Sequence, residues 1–134
     1  PFRKDRFVLV VPRDHPLAKR TKIPFAQVLD RDFVGLDRAS ALQRFLADKA
    51  SRIGRPLKLR VQLRSFDAVC RLVERNAGIG IVPETTVRWA ERSMAIKAVE
   101  LTDTWALRDL TICVRDVTQL SSFARQLVEH MRAG

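Results

Sequence analysis

Residues 57–83 leave this chain few ways to fold. They read Leu-Lys-Leu-Arg-Val-Gln-Leu-Arg-Ser-Phe-Asp-Ala-Val-Cys-Arg-Leu-Val-Glu-Arg-Asn-Ala-Gly-Ile-Gly-Ile-Val-Pro. Leu59, Val61 and Leu63 alternate with Arg60, Gln62 and Arg64, the period of a half-buried strand. Ser65 follows at once and suits an N-cap, because its hydroxyl accepts a hydrogen bond from an amide that the next turn leaves unpaired. Phe66, Val69, Cys70 and Val73 then share one face of a helix. Gly78 stands where a helix end calls for a left-handed residue. Ile79, Ile81, Val82 and Pro83 form a short apolar strand that the proline stops. A strand, a crossover helix and a second strand at this spacing imply parallel pairing of the two strands.

The rest of the chain fits around that unit. Phe7–Pro12 is a continuous apolar run, read as a buried strand. Arg13 to Ala18 is a turn, and Pro16 disfavours helix at His15. Pro24 suits the start of a short helix with Phe25, Val28 and Leu29 as its apolar face. Phe33–Leu36 is a short strand and 37–39 a loop. Ser40 and Gln43 make a capping box, in which the two side chains reciprocally satisfy backbone amides. Leu42, Phe45, Leu46, Ala50 and Ile53 keep helical spacing up to Gly54 and Pro56. A short helix is expected over 84–91, and strands over 96–101 and 110–115. An amphipathic helix is expected over 120–131, on Leu120, Phe123, Ala124, Leu127, Val128 and Met131. Strands alternating with helices indicate an α/β fold: an open, mostly parallel sheet with helices on both faces.

Composition narrows the function classes. With 134 residues, 46% of them hydrophobic and 30% charged, the chain is a globular domain rather than a disordered one. No apolar run approaches the roughly 20 residues that span a bilayer, and no membrane partner is expected. No secretory signal is read, the two cysteines lack metal or redox spacing, and a reducing cytoplasmic setting is expected. The first residue is Pro rather than Met, as in a piece of a longer chain. The net charge of +10 attracts anions at long range. Its arginines and lysines are scattered in small groups, however, and do not interleave with aromatic residues for stacking on bases.

No catalytic constellation emerges. There is no Gly-x-Ser-x-Gly elbow and no phosphate loop, and neither His15 nor His130 has a nucleophile or carboxylate at motif spacing apart from Asp14, which a turn explains. Ala77 to Gly80 precedes a strand instead of opening a helix, so it lacks the geometry of a dinucleotide loop. No cofactor or metal is implied. What remains is the end of the sheet where strands run into helices, the usual ligand position in open α/β folds. Three such ends are offered: Leu36, Asp37, Arg38, Ala39 and Ser40; then Arg64, Ser65 and Phe66; then Pro83, Glu84 and Thr85. Were these strands neighbours, two helix starts and the arginines would form a cradle for a small carboxylate or similar anion. Ordinary caps and ordinary surface charge would account for the same residues.

Val-Pro-Arg-Asp-His-Pro-Leu-Ala at 11–18, Arg-Ser-Phe-Asp-Ala-Val-Cys-Arg-Leu-Val at 64–73 and Ala-Gly-Ile-Gly-Ile-Val-Pro at 77–83 resemble the effector-binding domain of LysR-type transcriptional regulators. Trp105-Ala-Leu-Arg, the Leu-Thr-Ile-Cys-Val-Arg run and the segment from Phe123 to Met131 also fit, so the resemblance covers the chain in order. It implies a two-lobed fold like the periplasmic binding proteins, with a small effector between the lobes, and an N-terminal winged helix-turn-helix that binds DNA. The helix-turn-helix and most of the first lobe have no counterpart here. About 7–95 would be the second lobe, and about 96–134 the segment returning to the first. Carried over by position, the effector-facing residues are the three strand ends named above. A rival class, a lobe of a solute-binding transport protein, shares the same lobe architecture; a small α/β enzyme lacks its constellation.

Homo-oligomerisation is expected, because the apolar faces of 96–101, 110–115 and 120–131 call for a partner. DNA reading is expected to belong to the missing domain. The isolated chain should therefore bind DNA only weakly and without sequence preference, with affinity that collapses as salt rises. A gel shift at physiological salt with the operator of the parent regulator checks this; nanomolar, sequence-dependent binding would place DNA reading in these residues.

Overall fold

A computed structural model of the chain describes residues 5–107. Strands form where apolar runs or alternation dictate them: β1 (Phe7–Pro12), β2 (Lys22–Ile23), β3 (Phe33–Leu36), β4 (Leu59–Leu63), β5 (Gly80–Pro83) and β6 (Ile96–Leu101). The helices are α1 (Ala41–Ile53), α2 (Phe66–Glu74) and α3 (Glu84–Ala90), with short 3-10 turns at Pro16–Lys19, Phe25–Val28 and Thr104–Leu107. Four strands order as β2-β6-β1-β5, and β3 pairs with β4. A single parallel bridge from Phe33 to Ile79 joins the two sets. Every residue of β1 is buried, as its unbroken apolar run requires of a strand in mid-sheet. Phe25 and Phe66 are the largest side chains fully buried in the core.

The caps act largely as their residues suggest. Ser40 accepts from the Gln43 amide at 3.2 Å, and Ser65 accepts from the Ala68 amide at 3.1 Å. Such caps are worth about 1 kcal/mol each. Gly54 ends α1 with φ of 85°, and the Arg55 amide closes the turn onto the Ala50 carbonyl at 3.1 Å. Trp105 stands edge-on to Phe25 and to Phe45, at 5.2 and 5.5 Å between ring centroids. It thereby ties the last described turn to the turn at Phe25–Val28 and to α1.

The open α/β architecture is as expected, and four details differ. First, β4 and β5 are not direct neighbours: β3 lies between them, parallel to β4 and bridged in parallel to Ile79. The sheet is also mixed, because β1 runs antiparallel to both β5 and β6, while β2 is parallel to β6. Secondly, the left-handed residue after α2 is Asn76, with φ of 65°, and not Gly78. The helix stops earlier: the Asn76 amide bonds the Val73 carbonyl at 2.9 Å and the Ala77 amide bonds the Leu72 carbonyl at 3.1 Å, a Schellman closure. Gly78 is needed for space, since a Cβ there would sit 2.9 Å from the Asp32 carbonyl oxygen.

Thirdly, the capping box is only half made. The Ser40 amide donates to the Asp37 carbonyl at 2.8 Å, and Gln43 turns inward to accept from the Leu36 amide at 3.3 Å. Fourthly, 96–101 is β6, an antiparallel neighbour of β1 from Glu100 opposite Val8 to Ile96 opposite Pro12. Its apolar residues Ile96, Val99 and Leu101 are buried. The expected strand at 110–115 and helix at 120–131 lie outside the described residues. Among those residues, no helix is long and apolar enough to cross a membrane.

Two stability predictions follow from these contacts. Gly78→Ala should cost about 1–3 kcal/mol, the usual range for overpacking, because the neighbour that must yield is backbone; equilibrium urea unfolding checks it. His15 caps the turn at Pro16–Lys19 by accepting from the Leu17 amide through Nδ1 at 3.1 Å, which only a ring unprotonated at that nitrogen can do. Burial, and secondly the nearby Arg31, hold its pKa below the usual 6.5, against an opposing pull from Asp14. A lowered histidine pKa stabilises the fold above the unfolded value and loses that contribution as pH falls through the folded one. Melting temperature should thus drop between pH 7 and 5 by more in the wild type than in His15→Asn, which caps without titrating.

Candidate functional site

The pairing of β3 with β4 builds the site. The two strands are parallel, with Leu36 opposite Leu63, so both run out on the same edge of the sheet. Each then enters a helix, α1 through Ser40 and α2 through Ser65. Two helix starts therefore lie side by side, and their first-turn amides carry partial positive charge. The serine hydroxyls accept from the first-turn amides of their own helices.

The loop between β3 and α1 is tied down at several points. Asp37 Oδ1 accepts from the Ala39 amide at 2.8 Å. The Arg38 amide donates to Gln62 Oε1 on β4 at 3.0 Å, and the Arg38 guanidinium reaches the Leu59 carbonyl at 3.4 Å. Leu36 is buried and Ser40 half-buried, while Asp37, Arg38 and Ala39 are exposed. At the second strand end Arg64 is exposed, Ser65 half-buried and Phe66 fully buried in the core. Phe66 thus packs on the buried face of α2. Arg60 and Gln62 are exposed like Arg64, as alternation along one face demands. Arg60 lies towards the opposite end of β4 and pairs with Asp32 at 2.9 Å.

The third strand end reaches the same edge, because β5 runs parallel to β3 through the bridge at Ile79. Its groups are engaged by the chain ahead of β1. The Glu84 amide donates to the Arg6 carbonyl at 2.8 Å, and the Glu84 carboxylate pairs with Arg6 at 3.3 Å and with Arg88 at 3.5 Å. Thr85 Oγ1 donates to Asp5 at 2.7 Å. Arg6 is further paired with Glu100. The structure therefore brings Leu36–Ser40 together with Arg64 and Ser65, and lines up Pro83–Thr85 beyond them as a closed ion-pair cluster. Gln43 and Gln62, which hold the first loop, were not among the residues expected at the site; polar residues at a buried helix position and on the neighbouring strand were the available signal.

Two cavities lie elsewhere. One of about 540 Å³ runs along the flank of α1 and the start of β4, and of the strand-end residues it includes only Arg38. The other, of about 340 Å³, lies at the opposite ends of the strands, between His15, Asp32, Arg60 and Gly78. Neither has a group of metal ligands, and no such cluster occurs among the described residues. Cys70 is buried in α2, and burial, with a smaller contribution from Asp67, pushes its thiol up to about 12. It is a thiol, not a thiolate nucleophile, at neutral pH.

Comparison with known proteins places this geometry. The model of the LysR substrate binding domain matches residues 1–134. An uncharacterised HTH-type transcriptional regulator from Methanocaldococcus jannaschii is 32% identical over 111 residues, which are 80% of this chain and 37% of that protein. The effector binding domain of QuiR in complex with shikimate superposes with a TM-score of 0.70 at 23% identity, over 81% of this chain and 51% of that one. The Synechocystis PCC6803 CcmR regulatory domain in complex with 2-PG gives 0.69 at 21% identity, over 81% of this chain and 52% of that one. The chain thus spans about a third of that regulator and half of each effector domain. With the whole chain matched and the same lobe architecture in both solved domains, this protein belongs to the LysR substrate-binding domain family.

Proposed function

We propose that this chain is the second lobe of the effector-sensing domain of a LysR-type transcription regulator, and that it takes a small anionic effector at the ends of β3 and β4. The observation that carries this reading is the parallel register of Leu36 with Leu63, which sets two helix starts side by side. A first lobe supplies the opposite wall, and a helix-turn-helix elsewhere in the regulator contacts DNA. The second lobe extends through β6, which pairs along β1. Homo-oligomerisation and a cytoplasmic setting belong to the same reading. The shared regulator ancestry supports it over a transport-protein lobe.

The anionic preference rests on chemistry. An exposed helix terminus contributes roughly 0.3–1 kcal/mol to a nearby anion, and more when partly buried. A hydrogen bond from an arginine adds about 1.5–3 kcal/mol. Arg64 stands at the paired strand ends, and Arg38 in the adjoining loop. The carboxylate of Glu84 is occupied by Arg6 and Arg88, which limits its repulsion of an incoming anion.

Calorimetric titration of the full-length regulator with small carboxylates, shikimate first among them, tests the assignment. Arg64→Ala should weaken binding by about ten- to a hundredfold, since about 1.4 kcal/mol is a factor of ten. Arg60→Ala should leave affinity unchanged, because Arg60 pairs with Asp32 away from the strand ends. Equal small effects from both arginines would identify a solvated face and overturn the site.

A further inference from the structure

Gln43 is one of the few buried polar residues in the core, 5% exposed on the first turn of α1. A carboxamide in such a place costs stability unless it is hydrogen-bonded, and a leucine would fill the space without that cost. Its oxygen accepts from the Leu36 amide at 3.3 Å, where β3 ends and the strand-end loop begins. Glycine at residue 35 leaves room for this seat: a Cβ there would come within 2.5 Å of Gln43 Oε1 and 3.1 Å of Leu59 Cδ1, so the carboxamide would have to shift. Glycine and glutamine thus form an interlock between the strand before the loop and the helix after it.

The same loop is held from its other sides by Gln62 on the Arg38 amide, Asp37 on the Ala39 amide, and the Asp37 carbonyl on the Ser40 amide. Gln43 is the buried member of this set, and the one that fixes the loop to the helix whose amides would meet the effector. We propose that Gln43, seated by Gly35, is a positioning residue for the effector: it holds Leu36–Ser40 in the shape that presents the start of α1. This rests on the strand ends being the effector site.

Hydrogen exchange of individual amides in the full-length regulator, with and without shikimate as probe, tests it alongside melting temperature. Gln43→Leu should speed exchange at Leu36, Ala39 and Ser40 about tenfold while amides of β1 and α2 keep wild-type protection. It should weaken shikimate binding about tenfold, the scale of one hydrogen bond. Gly35→Ala should do the same by displacing the carboxamide. Gln43→Glu, which still offers an oxygen to the Leu36 amide, should keep exchange at Leu36 within about threefold of wild type. Wild-type exchange and affinity in Gln43→Leu, or loss of protection spread equally through β1, would overturn the proposal. Failure of shikimate and of inorganic phosphate to protect or shift any amide of 36–42 in the wild type would instead overturn the effector reading, and the positioning role with it, even if the exchange comparison showed that Gln43 shapes the loop.

Discussion

The register of β3 against β4 decides how the strand ends and helix starts of this fold are arranged. With Leu36 opposite Leu63, the two strands end together, and the chain enters a helix from each within a few residues. A slip of one residue would turn the alternating faces of β4 over, burying Arg60, Gln62 and Arg64 and exposing Leu59, Val61 and Leu63. The hydrophobic pattern therefore guards the register, and the register sets the two helix starts side by side. Stability and site geometry share one cause.

Around that pair the lobe divides its polar groups by role. The ion pairs on the surface, such as Arg52 with Asp48 and Arg71 with Asp67, join residues one helical turn apart and contribute little. The cluster of Arg6, Glu84, Glu100 and Thr85 works over long sequence separation, fastening the start of β1 to the end of β5 and to β6. It keeps the third strand end closed while the first two remain bordered by amides and arginines. Buried polar groups are fewer and more consequential. Gln43 secures the loop through a backbone amide, whereas Thr86 Oγ1 on α3 is buried with no partner among the described residues.

Much of the site could be read from residues 57–83 and from the Ser40 region. Caps, alternation and helical spacing are local signals, and Ser40, Ser65, β4 and α2 stand where those signals put them. Phe66, which the family resemblance places among effector-facing positions, is buried on the apolar face of α2. Glu84 and Thr85 were included because they follow a strand, but their partners Arg6 and Asp5 lie some eighty residues earlier in the chain. No local pattern announces such a pairing.

The sequence by itself determined the elements, the apolar faces that become the core, the helix starts, and an α/β fold whose strands run into helices. Each follows from the spacing of neighbouring residues, and a few turns of chain suffice to express it. Tertiary structure alone decided that β3 lies between β4 and β5, that β6 closes onto β1, and that Gln43 serves Leu36 instead of Ser40. It also moved the left-handed turn to Asn76 and left Gly78 to make room for the Asp32 carbonyl. These outcomes depend on which strands can share hydrogen bonds and which atoms must share space. That competition is settled only when distant segments pack together.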